Sequence, residues 1–305
     1  MNNRVVILIV FIASFLALNV HLYGQVEGES ESTTIMIRKP PTTQTTDQQV
    51  VDLSGKEGFE FRNHALIIGI DNYRDPGLID LDNPVSDAIN LYDILTSGYL
   101  FDPENVVLLK DPTRAEIIRE LDLMSNKLTR KDNLLIFYAG HGTWDRVKET
   151  GFWLPADAEA GSSVNWIRNS TIQDFVDDIN TQHTLLITDA CFAGSIFKSR
   201  GGFEDASKAI NKLYSLPSRK AMTSGTLEQV PDRSVFLEYL LERLKENQDK
   251  YMSAGDLFIS FREAVLNNSP TIPQYGIIQN TGDEGGDFIF IRRVEQDFVV
   301  GEEDF

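Results

Sequence analysis

The 305-residue chain has one cysteine, Cys191, and four histidines. A lone thiol cannot close an internal disulfide, so its sulfur is either an inert part of a core or a functional group. Cations are scarce, with 28 Lys and Arg against 46 Asp and Glu for a formal net charge of −18. That balance argues against a nucleic-acid partner, whose phosphates demand a basic face, and suits a cationic peptide. No repeat of fixed period is present, which excludes a solenoid. A dinucleotide fingerprint is missing too, since Gly140 and Gly142 lack the spacing and the Gly282–Gly286 stretch has no helical pattern after it. Asp283, Glu284 and Asp287 do not have EF-hand spacing and are expected in a solvated turn.

What is present begins with an apolar run from Val5 to Val20 behind Arg4, ending near the small residue Gly24. Residues 1–24 read as a secretion signal cut after Gly24, or as an uncleaved anchor, although the run falls short of the ~20 apolar residues that span a bilayer. The first reading implies a periplasmic or secreted protein. The second implies inner-membrane anchoring with the domain facing outward, and only then is membrane contact expected. Residues 25–60 are polar without an apolar period, as in a linker or pro-segment. One folded domain is expected over 61–293, with an acidic tail at 294–305.

Within the domain, His64–Ile70, Asn105–Lys110, Asn133–Tyr138, Thr184–Thr188 and Lys220–Thr226 are short apolar, β-prone runs. Helical spacing separates them. Val85 to Leu95 follows an Asn83-Pro84 start signal, and Ile117 to Met124 follows a Thr113/Glu116 capping box. Ile172 to Ile179 follows a Ser170/Gln173 cap, while Val235–Leu244 and Leu257–Val265 come later. Tyr275–Ile278 and Phe288–Ile291 suggest an antiparallel finish. Lys198–Leu213, mixing glycine and charge, is expected to be a mobile loop, and Thr143–Ile167 to hold a hairpin near Trp153. Trp144 and Trp153 either line a cleft or pack. The alternation predicts an α/β fold with a mainly parallel six-stranded sheet and helices on both faces.

In such a sheet, ligands bind outside the carboxyl ends of the strands. Cys191 follows the Thr184–Thr188 run, and His141 follows Asn133–Tyr138 between two glycines that allow close backbone approach. A thiol acts as a nucleophile only when a base or cation favours its thiolate, and histidine is the usual partner. His21 lies in the N-terminal run, and His64 and His183 begin strands at the opposite end. Only His141 is placed to reach Cys191.

The segments HALIIGIDNY (64–73), NPVSDA (83–88), YAGHG (138–142) and DACFAGS (189–195) resemble the caspase-like cysteine peptidases, nearer to the bacterial metacaspase type than to animal caspases. His141 precedes Cys191 by 50 residues, close to the caspase spacing. The resemblance implies a caspase-hemoglobinase-like three-layer sandwich, with Cys191 as nucleophile and His141 as general base and acid. It implies an oxyanion hole from the backbone N–H groups of Gly142 and Cys191. Animal caspases have glutamine where this chain has Asp189. With Asp87, that carboxylate implies a pocket for Arg or Lys before the cut bond. Asp87 also has an ordinary reading, as a negative charge in a first helical turn. The expected partner is a peptide or protein with a basic residue at that position. No cofactor is required for the chemistry; some relatives use calcium, for which no motif is present here. Lys198 and Arg200 are candidate autoprocessing points. The alternative, suggested by Phe192 and Ala193 after the cysteine, is an inactive caspase-fold scaffold at the cell envelope.

Overall fold

A computed structural model of the chain describes residues 61–145, 147–190, 197–198, 206–225 and 233–293. The first 60 residues, Cys191, Arg200 and the acidic tail lie outside these. The chain order is β1 (Arg62–Gly69), α1 (Pro84–Gly98), β2 (Phe101–Lys110), α2 (Arg114–Lys127), β3 (Asp132–Ala139), β4 (Gly142–Asp145), β5 (Thr150–Trp153), β6 (Ile167–Arg168), α3 (Asn169–Asp178), β7 (His183–Asp189), β8 (Phe197–Lys198), α4 (Ala206–Ser215), β9 (Ser218–Thr223), α5 (Val235–Glu246), β10 (Tyr251–Ser253), α6 (Ala254–Asn268), β11 (Gln274–Ile278) and β12 (Ile289–Ile291).

The main sheet runs β2-β1-β3-β7-β9-β11-β8. The first five strands are mutually parallel and β11 is antiparallel to β9. The two-residue β8 adds only a short edge. This is the mainly parallel six-stranded sheet that the alternation of elements predicts, with a short extra strand.

Both faces of the sheet are apolar, because successive side chains in a strand point to opposite sides. Ala65 and Ile67 of β1, with Leu135 and Phe137 of β3, pack with α1, α5 and α6. Their neighbours Leu66, Ile68, Leu134 and Ile136 pack with α2, α3 and the small antiparallel sheet β4-β5-β6. The result is three layers, and strands buried on both sides explain the near-continuous apolar runs.

The ends of the helices show which local signals hold. At α2, the Thr113 N–H donates to Glu116 Oε2 at 2.8 Å and the Glu116 N–H to Thr113 Oγ1 at 3.3 Å, a complete capping box. At α6, Ser253 Oγ accepts from the Asp256 N–H at 3.0 Å. The Ser170 cap does not form. Strand β6 pairs with β5 and feeds directly into α3, so the helix begins at Asn169 and Ser170 already lies inside it. At α1, Asn83 makes no side-chain cap; Asp71 reaches across instead and accepts from the Val85 N–H at 2.8 Å.

Two other expectations are corrected. Much of the Lys198–Leu213 stretch is ordered secondary structure, because Ile210, Leu213 and Tyr214 of α4 pack on Ile289 and Ile291. Asp283 and Asp287 do not sit in a solvated turn. Asp283 pairs with Lys220 Nζ at 3.2 Å, and Asp287 is buried, accepting from the Gly255 N–H at 3.0 Å and from the Tyr275 hydroxyl. The antiparallel finish is present in two places, β11 pairing with β9 in the main sheet and β12 with β10 in a separate ribbon. Of the two readings of Trp153, packing holds, since it is 1% exposed and stacked on Tyr138 at 4.3 Å.

Candidate active site

The central register decides what meets at the carboxyl ends of the strands. Strands β3 and β7 are neighbours, and Ala139 pairs with Asp189. His141 and Cys191 therefore each follow that pair by two residues. His64 and His183 sit at the other end of the sheet, buried, with His183 bonded to Ser218 Oγ at 2.8 Å and to the Tyr214 carbonyl at 3.0 Å.

The loop after β1 holds the His141 ring. Its Nε2 lies 2.7 Å from the Ile79 carbonyl. A carbonyl only accepts, so Nε2 carries the proton and Nδ1 keeps its lone pair, ready to take a proton from a donor. Sequence reasoning missed Ile79, and no side-chain pattern could have shown it, because the contact comes from the backbone. Aspartates fix this loop. Asp111 Oδ1 accepts from the N–H groups of Asp71 and Asn72 at 2.7 and 3.0 Å, and Asp80 Oδ1 accepts from that of Tyr73 at 2.8 Å.

Gly140 is required for closeness. A Cβ there would come within 3.1 Å of both the Tyr73 and Tyr138 hydroxyls. Beyond it, the Leu154 N–H donates to the His141 carbonyl at 3.0 Å, and Gly142 faces Trp153 across β4 and β5. That arrangement makes Gly142 and Trp153 a non-hydrogen-bonded pair, so the Gly142 N–H points away from β5, to the open edge of the small sheet.

Asp189 ends β7 almost completely buried, and burial pushes its carboxyl up to about 6. The nearby Ser224 and Ser234 hydroxyls oppose that rise, and the negative charge of Asp87 adds to it. Asp87 lies in the first turn of α1 and is half-buried. The two carboxylates predicted to act together are thus close enough to feel one another. Three polar atoms at these strand ends, Thr188 Oγ1, Asp189 Oδ1 and Ser224 Oγ, are buried without a hydrogen-bond partner among the described residues. Sequence reasoning missed Thr188 and Ser224; a hydroxyl at the last turn of a strand is too common to single out. Among the described residues no group of His, Asp or Glu is arranged to hold a metal ion. Lys198 lies in β8, its backbone paired with Ile277.

A parallel α/β sheet thus gathers an oriented imidazole, a backbone N–H at the edge of the small sheet and a buried carboxylate at adjacent strand ends, the region where such sheets bind their ligands. The caspase-domain model of the peptidase C14 family matches residues 62–282, and the chain belongs to that family. It is similar to metacaspase-1 of Saccharomyces cerevisiae, 34% identical over 116 residues, which cover 34% of this chain and 25% of the yeast protein. It is also similar to metacaspase-1 of Candida glabrata, 28% identical over 178 residues, covering 53% and 43%. The chain thus spans a quarter to less than half of the length of these curated relatives. Among solved structures, caspase-1 from Spodoptera frugiperda superposes with a TM-score of 0.50 at 14% identity, covering 72% of this chain and 87% of that one, a likeness of fold.

Proposed function

We propose that the protein is a cysteine endopeptidase that cuts after arginine, and less efficiently after lysine, with Cys191 as nucleophile and His141 as its base. The observation that carries this reading is the β3–β7 register, which lets the chain leave two adjacent strands with His141 and Cys191 at the same offset. Adjacent strands stand about 4.8 Å apart, within the span of a hydrogen-bonded pair of side chains.

In the proposed mechanism, Nδ1 of His141 takes the thiol proton as the sulfur attacks the peptide carbonyl carbon. The resulting imidazolium is steadied by the Ile79 carbonyl. The oxyanion accepts hydrogen bonds from the N–H groups of Gly142 and Cys191. His141 returns the proton to the leaving amine, so the carbon–nitrogen bond breaks and a thioester remains. A water molecule, deprotonated by the same imidazole, then releases the new carboxylate and the thiol. No third carboxylate takes part.

The buried Asp189 supports the specificity. An arginine guanidinium would give Oδ1, Thr188 Oγ1 and Ser224 Oγ donors that no described residue supplies, and would neutralise a carboxylate that burial disfavours as an anion. Asp87 adds a second negative charge, and an aspartyl substrate would be repelled. We also take residues 1–24 as an export signal or anchor, which would put the domain outside the cytoplasm; sequencing the mature N-terminus from the native host tests this. Among the described residues no helix is long and apolar enough to cross a membrane.

The central test is hydrolysis of arginyl, lysyl and aspartyl reporter peptides, with and without calcium, by the wild type and by Cys191→Ala. Arginyl hydrolysis that vanishes in the variant is expected. Activity that survives in Cys191→Ala rejects the nucleophile, and a preference for aspartate rejects the role of Asp189. If no peptide is cut and an arginyl thiol-reactive probe leaves Cys191 unlabelled, the scaffold reading prevails. N-terminal sequencing of active protein tests cleavage at Lys198 or Arg200. Lys198 is held by strand pairing, which favours Arg200 as the earlier site.

A further inference from the structure

The hydrogen bonds around His141 form an arrangement that the mechanism above does not use. The His141 N–H donates to the Tyr73 hydroxyl at 2.7 Å. The Tyr138 hydroxyl donates to the His141 carbonyl at 2.7 Å, with the Leu154 carbonyl at 3.1 Å as a second acceptor. The two hydroxyls flank Gly140, where a Cβ would come within 3.1 Å of each.

Each hydroxyl has a defined part in these bonds. Tyr73 Oη receives the His141 amide proton. Tyr138 Oη, which also accepts from the Leu154 N–H at 3.2 Å, sends its proton to the His141 carbonyl. The two phenols therefore hold the N–H and the C=O of a single residue. We propose that Tyr73 and Tyr138 act as one positioning unit, two hydroxyls that grip the backbone of His141 from either end and thereby aim both its Nδ1 and the Gly142 N–H.

The surroundings suit that role. The Tyr73 ring lies 4.8 Å from the imidazole, and the Trp153 indole stacks on the other tyrosine, leaving neither phenol free to turn away. Tyr73 is 8% exposed and Tyr138 is fully buried, so water does not compete for the hydroxyls. Burial also pushes the Tyr73 hydroxyl well above the usual phenol range, which keeps it protonated. Because the peptide that follows His141 supplies the Gly142 N–H, one fixed backbone sets two catalytic elements. Loss of either hydroxyl strands one end of that buried backbone, so either loss loosens the same residue.

This inference rests on the peptidase reading, and two readouts separate them. In the active protein, Tyr73→Phe and Tyr138→Phe are each expected to lower kcat on an arginyl reporter by on the order of 10- to 100-fold, corrected for the fraction of sites titrated by a thiol probe. KM is expected to stay within about twofold, and the double variant to be no worse than the poorer single, the non-additivity of parts acting together. Multiplied losses, or an unchanged kcat, overturn the unit. In Cys191→Ala protein, where activity plays no part, amide exchange at His141 is expected to accelerate at least about tenfold in Tyr73→Phe while amides of β1 keep their protection. Unchanged exchange at His141 overturns the unit. Failure of the wild type to hydrolyse or alkylate rejects the peptidase reading and leaves the exchange test standing.

Discussion

The two ends of the main sheet treat buried polar groups in opposite ways. At the end where the parallel strands begin, Asp132 Oδ2 accepts from the Thr129 N–H and hydroxyl, each at 2.9 Å, and Oδ1 faces Arg62 Nε at 2.9 Å and His64 Nε2 at 3.3 Å. Despite burial, these bonds hold the Asp132 carboxyl below its ordinary value. Arg219, also buried, spends its guanidinium on the carbonyls of Val176, Ile179, Thr181, Gln182 and Ser218. Where the same strands finish, Asp189 is pushed up to about 6 and keeps an oxygen without a partner among the described residues. Desolvation acts on both carboxylates, and only one is compensated. Natural folds leave such a deficit where a ligand will fill it, so satisfaction of polar groups separates scaffold from site.

The widest separation is expected from exchanging each carboxylate for its amide. Asp189→Asn should lower kcat/KM for arginyl peptides by on the order of 100-fold or more, because the guanidinium loses its charged partner inside a dry pocket. The fold should survive. Asp132→Asn should do the reverse, leaving kcat/KM within a few-fold for the protein that remains folded and lowering stability by about 3 kcal/mol, since Arg62 loses its charged partner and the new NH2 group must face a donor on one side, either Thr129 or the Arg62 and His64 pair. Urea unfolding beside steady-state kinetics on both variants gives the comparison. An Asp189→Asn protein that is unstable and fully active would abolish it.

The parts of this contrast that could be read in the chain are those carried by side chains in regular elements. The runs at Asn133–Tyr138 and Thr184–Thr188 became the central strands because both faces of each are covered, and the Thr113/Glu116 box formed because both of its partners are local. Ser170 failed as a cap because a tertiary constraint, the pairing of β6, decided where α3 starts. The helix at Ala206–Ser215 was hidden by its lysines, whose neighbours Ile210, Leu213 and Tyr214 acquire a partner only when β12 returns from far along the chain. At the site, His141 and Asp189 were legible from their position after strands. The Ile79 carbonyl, the Tyr73–Tyr138 hydroxyls and Ser224 were not, because each gains meaning only from what lies across the loop.

A smaller effect should appear in the dependence of stability on pH. Asp189 and Asp287 both sit near 6 in the folded chain, against about 3.9 for an unfolded aspartate. Between those values the folded state holds protons that the unfolded state has released, so stability falls as pH rises from about 4 to about 6 and stays reduced above. For Asp189 the difference corresponds to about 2–3 kcal/mol. Asp132, held low, contributes the other sign: its stabilisation is complete above about 4 and is lost as pH falls through its lower folded value. Denaturant unfolding at pH 4.5 and 7.5 should therefore find Asp189→Asn stabilised relative to wild type at the higher pH and nearly equal to it at the lower. A gain of the same size at both would mean that the carboxylate is not the titrating group. The same protonation predicts an acid limb near pH 6 in kcat/KM for arginyl peptides.

The smallest expected effect is the most direct comparison, because it uses the same residue type at the two ends of one strand. Ser218 opens β9 and its hydroxyl bonds His183 Nδ1 at 2.8 Å, while Ser224, just past the other end, has a hydroxyl with no hydrogen-bond partner among the described residues. Ser218→Ala should cost about 1 kcal/mol, because it strands a buried imidazole nitrogen, and should leave KM for arginyl peptides unchanged. Ser224→Ala removes a hydroxyl that only eases the charge on the Asp189 carboxyl, so it should change stability little and raise KM a few-fold by deleting one acceptor from the guanidinium's surroundings. Thermal unfolding and KM measured on the pair should give opposite patterns. If both variants lose stability and neither changes KM, then Ser224 belongs to the scaffold and the unfilled polar group at the head of β9 does not mark where substrate binds.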